Sequence, residues 1–344
     1  MTEEEMVEKF EGYLSHQMPD AMNIEIDSAR SIVGGGSRQT FSMKLKITYS
    51  DREVSKRVIL RRESESGIID TKVRTEWDAY SAFFNSRVPV PEPLWIEEDP
   101  KWMGMPFIVM EEIFGCQDFF RLFLEPPYNA VREKVGERFC EIMGTIAKTD
   151  PAAVGLEDKL DKPAPDECWR RELDYWEEGI NRDELEPHPV LRAATRWLRR
   201  NPPPPAQKVG IVHGDMRGGN FLFNINGEIK AILDWELMHL GNPLEDLAWS
   251  LNRLFSWEDH DRLGLMLPRA RAIRIWEDVS GFKADPEVLL WWEIFSSVKG
   301  MAIWISINEV YSTGKNPSPI FCFGGMFASD LQGRILLKQM REVS

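Results

Sequence analysis

The stretch IVHGDMRGGNFLFNINGEIKAILDWELMHLGNPLEDLAW, Ile211 to Trp249, decides how this chain is read. The apolar run Val209 to Val212 predicts a short buried strand. It delivers His213, Gly214 and Asp215 into a tight loop, and Asn220 follows five positions after Asp215. Phe221 to Ile225 and Ile229 to Leu233 predict two more strands, joined at the turn residues Asn226-Gly227. The second of these runs ends on Asp234. Two carboxylates and a carboxamide are therefore expected at strand ends, where rigid elements aim side chains at one point.

Phosphoryl transfer is the chemistry that uses such a set. One carboxylate orients and deprotonates a hydroxyl nucleophile, while an amide oxygen and a second carboxylate hold Mg2+ against nucleotide phosphates. The spacing His-x-Asp-x4-Asn equals that of the protein-kinase catalytic loop, and Asp234 falls where that pattern carries its metal-binding Asp. With Gly at the centre of His-Gly-Asp and Trp-Glu after Asp234, the stretch closely resembles the aminoglycoside phosphotransferase family of small-molecule kinases, relatives of the choline kinases. The resemblance implies an α+β, bilobal, protein kinase-like fold. Residues 1–111 would form a nucleotide-binding lobe with an antiparallel sheet and a helix, and 112–344 a mostly helical catalytic and acceptor-binding lobe.

The chain as a whole agrees with such an enzyme. Its 344 residues allow two lobes, each with a core. A net charge of −14 argues against nucleic acid or an anionic membrane as the main partner. It suits a cationic acceptor, or serves solubility alone. Cys116, Cys140, Cys168 and Cys322 show no C-x-x-C spacing and read as reduced thiols of a cytoplasmic protein. The first residues, MTEEEMVEKF, are acidic and lack the apolar core of a signal peptide. No apolar run reaches membrane-spanning length, since Glu293 interrupts even LLWWEIF.

Upstream, Glu3 to Met18 predicts an amphipathic helix on the first lobe. Ile24 to Val33 predicts a strand that runs into Gly34-Gly35-Gly36-Ser37. The next strand alternates Phe41, Met43, Leu45 and Ile47 against Ser42, Lys44, Lys46 and Thr48. Val54 to Arg62 follows. A glycine turn between strands lets backbone N–H groups approach phosphate oxygens, although Gln39 replaces the third glycine of the kinase pattern. Ile68 to Phe84 predicts a helix carrying Glu76. By the resemblance, Arg61, where the family more often has Lys, would bind phosphate and pair with Glu76; Arg62 is the alternative, because strand alternation turns only one of them inward. PFIVMEEIFG predicts the crossing between lobes, with Met110, Glu111, Glu112 and Ile113 as the adenine-binding window.

Helices are expected over Val131 to Lys148, Asp166 to Ile180, Pro189 to Arg199, Arg262 to Val279, Asp285 to Asn308 and Gly325 to Arg341. Asn242-Pro243-Leu244-Glu245 reads as a helix start, which leaves little room for an activation segment and argues against a protein kinase. The resemblance and the chemistry give the roles: Asp215 as base, Asn220 and Asp234 as Mg2+ ligands, Asp246 as holder of the loop backbone. His213 reads as a brace. Arg217 would offset phosphate charge or face solvent, and Glu236 would touch metal or acceptor. The function expected is transfer of the γ-phosphate of ATP, with GTP also open, to a hydroxyl of a small molecule. The chain would act as a monomer or homodimer. A silent nucleotide-binding module and a metal-dependent phosphohydrolase stay open beside it.

Overall fold

The computed structural model describes residues 3–32, 38–64, 71–118, 120–257 and 259–343. The glycine stretch Gly34, Gly35, Gly36 and Ser37, expected at the nucleotide, lies outside the described residues.

Helix α1 (Glu3–Gln17) precedes β1 (Asn23–Ile32), β2 (Arg38–Thr48) and β3 (Glu53–Glu63). Helix α2 (Val73–Phe83), β4 (Pro93–Glu97) and β5 (Phe107–Glu111) complete the first lobe. Its antiparallel sheet has the order β1-β2-β3-β5-β4, with Phe41 opposite Leu60 and Leu60 opposite Val109. The period-2 pattern of β2 puts Phe41, Met43, Leu45 and Ile47 on one buried face. Met6, Phe10, Tyr13 and Leu14 of α1 cover that face, with the Tyr13 ring edge-on to Phe107 at 5.0 Å. Each of these large side chains contributes about 1.5–3 kcal/mol by burial, so α1 is an integral layer of the lobe.

The other face of the sheet looks toward α2 and the second lobe. Helix α2 belongs to both: Tyr80 and Phe83 join the large second core, and Phe83 stacks on Trp235 at 4.9 Å. That second lobe contains α3 (Arg132–Lys148), α4 (Cys168–Asp183), α5 (Pro189–Arg200), β6 (Gly210–Val212), β7 (Phe221–Phe223), β8 (Ile229–Ile232), β9 (His239–Gly241) and α6 (Leu244–Ser250). It continues through β10 (Arg262–Leu263), β11 (Leu267–Pro268), α7 (Arg269–Ser280), α8 (Pro286–Ser312), α9 (Pro319–Phe323) and α10 (Ser329–Glu342). Asp285 caps α8, its carboxylate accepting the N–H groups of Glu287 (3.0 Å) and Val288 (3.2 Å).

Three expectations need correction. The helix expected from Arg262 starts only at Arg269, because Pro268 has no N–H and forces its neighbour out of the helical region; the residues before it form the β10–β11 pair. The last helix is preceded by a π-helical stretch, Gly324–Ala328, where a side chain on Gly325 would come within 2.8 Å of the Asn308 backbone. Among the described residues one helix, α8, is long and apolar enough to cross a membrane by length and composition. Its window is 78% buried inside the protein, and its Glu293 and Lys299 are paired there with Arg269 and Glu245.

Candidate active site

Two small antiparallel pairs build the site. Strand β6 pairs with β9, Val212 opposite His239, and β7 pairs with β8, Phe221 opposite Ile232. Residues 213–220 form the loop from β6 to β7. Gly214 sits at φ +86°, and a Cβ there would lie 2.5 Å from the Leu237 carbonyl oxygen, so the loop accepts only glycine at this point. The Asp246 carboxylate accepts the N–H groups of His213 (2.7 Å) and Gly214 (2.9 Å) and fixes the backbone. Burial pushes the Asp246 carboxyl up to about 6, against the pull of those two N–H groups.

The His213 ring is fully buried and lies 4.4 Å from the Trp235 ring. Its Nδ1 accepts the Asp215 N–H at 3.1 Å, so its Nε2 carries the proton and donates to the Leu233 carbonyl at 2.9 Å. Burial drives its pKa down to about 4, and the neutral ring acts as a strut between the Asp215 loop and the end of β8.

Asp215 is held from three sides. Its Oδ1 accepts Trp249 Nε1–H (2.7 Å) and Arg217 Nε–H (2.9 Å), and its Oδ2 accepts Asn220 Nδ2–H (2.6 Å). Arg217 is thus folded onto Asp215 and the Gly218 carbonyl, with its guanidinium over the Phe255 ring. Asn220 spends its amide N–H groups on Asp215, and its Oδ1 has no protein partner among the described residues. Asp234 takes a left-handed conformation (φ 60°, ψ 53°), a conformation uncommon for a non-glycine residue and enriched at functional turns.

Asp234 meets the first lobe through Arg61, whose guanidinium donates to its Oδ1. Arg61 Nε lies 2.9 Å from Glu76 Oε1, which also accepts the Tyr80 hydroxyl at 3.0 Å. A carboxylate–guanidinium–carboxylate chain therefore spans the lobes. Burial works against the charged form of Asp234, but Arg61 and then Arg217 overrule it and hold the carboxyl below its ordinary value. Burial raises Glu76 in spite of Arg61. Of the two neighbouring arginines, Arg62 points to the α1 side, donating to the Met103 carbonyl (2.8 Å) and Gln39 Oε1 (2.6 Å).

Glu236 follows on the next turn and faces Arg38 and Thr71, with Thr71 Oγ1 donating to it at 3.2 Å. Burial, with Asp234 nearby, pushes its carboxyl up to about 7. Between the lobes, Met110 is buried and Glu111 exposed. The Glu111 N–H goes to the Glu92 carbonyl (3.0 Å) and the Glu112 N–H to the Arg57 carbonyl (3.2 Å). Ile113 keeps an N–H with no protein acceptor among the described residues.

A second layer behind the loop escapes sequence reasoning. Lys299 on α8 is buried, and its Nζ donates to the Gly214 carbonyl (2.6 Å) and Glu245 Oε1 (2.9 Å). Its ammonium lies 5.3 Å from the Trp176 ring and 5.1 Å from the Trp249 ring. His239 Nε2 faces Glu245 (3.2 Å) and Glu172 (3.5 Å), while its Nδ1–H donates to the Leu237 carbonyl (3.0 Å). Burial lowers the His239 pKa, but Glu172 and Glu245 outweigh it and carry it to about 9. Two carboxylates thus face an imidazolium and an ammonium, and the cluster balances its own charge without a metal ion. A lysine flanked by apolar residues in Ser297-Val298-Lys299-Gly300-Met301 was the available sequence signal.

The model of the phosphotransferase enzyme family matches residues 37–282, which contain all of these groups except Lys299 and α8. The chain belongs to that family. Acyl-CoA dehydrogenase family member 11 of Gallus gallus is 27% identical over 63% of this chain. The chain spans only 28% of that protein's length. Among solved structures, a Ralstonia eutropha protein provisionally called an aminoglycoside phosphotransferase superposes with a TM-score of 0.69 at 21% identity, covering 97% of this chain and 98% of the other. A thermostable mutant of aminoglycoside phosphotransferase APH(4)-Ia, in ternary complex with ADP and hygromycin B, superposes with a TM-score of 0.59 at 15% identity, covering 96% of this chain and 97% of the other. At such identities these likenesses establish the protein kinase-like fold.

Proposed function

We propose that this phosphotransferase moves the γ-phosphate of ATP to a hydroxyl of a small acceptor. The observation that carries the reading is the convergence of Asp215, Asn220 and Asp234 at the mouth of the Arg61–Glu76 chain. Asp215 is the base: it takes the hydroxyl proton as the oxygen attacks the γ-phosphorus, and the leaving ADP departs in line. Its three donors fix the carboxylate in one orientation, so the acceptor oxygen is aligned before reaction. Arg61 neutralises phosphate charge from the first lobe, and the Ile113 N–H is the donor for the adenine edge.

The donor set at Asn220 and Asp234, a free amide oxygen and an ionised carboxylate, is hard and oxygen-only, which fits Mg2+. Bound there, Mg2+ would screen the nucleotide phosphates. The acceptor class is open. With proteins of the acyl-CoA dehydrogenase family among its relatives, hydroxylated acyl thioesters join aminoglycosides, choline and sugars in the set to be tried.

The test is ADP release from Mg-ATP with each acceptor, wild type beside Asp215→Ala and Asp234→Ala. Acceptor-dependent release, lost in both folded variants, is the expected result. Phosphate release indifferent to every acceptor would make the protein a hydrolase, nucleotide binding without release a silent module, and an active Asp234→Ala would overturn the metal role.

A further inference from the structure

Beyond the base and the metal ligands, Asp215 depends on a group that no family-level argument assigns. Trp249 lies in the last turn of the short helix α6, is 2% exposed, and aims its Nε1–H at Asp215 Oδ1 at 2.7 Å. This is not the general fate of buried indoles here. Trp176, Trp276, Trp292 and Trp304 leave Nε1 without a hydrogen-bond partner. Trp235 and Trp291 donate to backbone carbonyls at 3.2 and 3.3 Å. Of these three donating indoles, Trp249 gives its hydrogen to a carboxylate, and at the shortest distance.

The ring itself is clamped. The Lys299 ammonium lies 5.1 Å from the Trp249 ring and 5.3 Å from the Trp176 ring, so α4, α8 and α6 meet at one cation. The same ammonium holds the Gly214 carbonyl, one residue before Asp215, at 2.6 Å. One buried charge therefore sets both the backbone before Asp215 and the ring that donates to its carboxylate. Glu245, the neighbour of Asp246 on α6, completes the fixation at 2.9 Å from Lys299.

We propose that Trp249 is a positioning residue for Asp215 and that Lys299 holds it in register with the loop. This rests on Asp215 acting as the base. Charge-assisted bonds to carboxylates are strong and directional, so losing one loosens the orientation of the carboxylate, which Arg217 and Asn220 then hold without the indole. Trp249→Phe keeps an apolar ring and removes only the donor. It should lower kcat for ADP release from Mg-ATP, with water as acceptor, by roughly tenfold to a hundredfold. The KM for Mg-ATP should stay within about twofold, since Trp249 touches no nucleotide-binding group. A change in KM matching the change in kcat, or an unchanged kcat, overturns the proposal.

A second measurement leaves Trp249 in place. In 15N-indole spectra, Asp215→Asn should move one of the 13 tryptophan N–H resonances upfield, as its acceptor loses charge. Thirteen unmoved indoles would refute the contact. If instead Asp215→Asn turns over as wild type does, the base assignment fails, while the indole shift still decides the contact.

Discussion

Replacing Gly214 with alanine would put a methyl group where Leu237 already is. The new Cβ would lie 2.5 Å from the Leu237 carbonyl oxygen and 2.6 Å from its Cβ, in a backbone held at φ +86°. The left-handed region costs a side chain about 1–2 kcal/mol. Relieving the overlap by backbone movement costs about 1–3 kcal/mol more. Gly155 provides the control, because it sits at φ +70° with nothing within 4 Å of the same added atom. Gly155→Ala should therefore show the conformational cost alone, and Gly214→Ala a total of roughly 2–5 kcal/mol in urea unfolding. Activity should suffer more than stability, because Gly214 adjoins Asp215 and carries bonds to Asp246 and Lys299. A shift of about 1 Å in a catalytic group costs on the order of a hundredfold in kcat. Gly214→Ala with wild-type turnover, or a destabilisation equal to that of Gly155→Ala, would refute this account of His-Gly-Asp.

Two further outcomes follow from the charge arrangement. Arg61→Lys keeps a cation but cannot span Glu76 and Asp234 with a planar fork, so kcat/KM for Mg-ATP should fall about tenfold, and about a hundredfold in Arg61→Met; equal values for Lys and Met would dismiss the charge. His239 has a folded pKa raised from 6.5 to about 9, so its stabilisation is complete below pH 6.5 and is lost as pH rises through 9. That limb is at most about 3 kcal/mol. Unfolding curves between pH 6 and 10 should show it in wild type and not in His239→Gln, and the same slope in both would reject the paired imidazolium.

Much of the site was legible because its residues are chemical and close in sequence. His213, Asp215, Asn220 and Asp234 fall between two strands and a hairpin that their apolar runs announce. Arg61 could be narrowed to a pair but not chosen, since alternation says that two neighbours point apart without saying which face is covered. Helix α1 supplies that answer by burying the side to which Arg62 points. Strand β9, three residues long, is shorter than any periodicity can register. Lys299 reaches Gly214 across 85 residues, and only folding joins them. The helix expected from Arg262 failed for a local reason, Pro268, which sequence does carry.

The His213 strut has one more consequence. By tying the Asp215 loop to the end of β8, it makes Asp215, Asn220 and Asp234 a single fixed jaw within the second lobe. Arg61 reaches that jaw from β3 of the first lobe and meets it at Asp234, while Glu76 sits on α2, the helix shared by both cores. A shift of β3 against this jaw would change how Arg61 meets Asp234 and leave the strut between Asp215 and the end of β8 as it is.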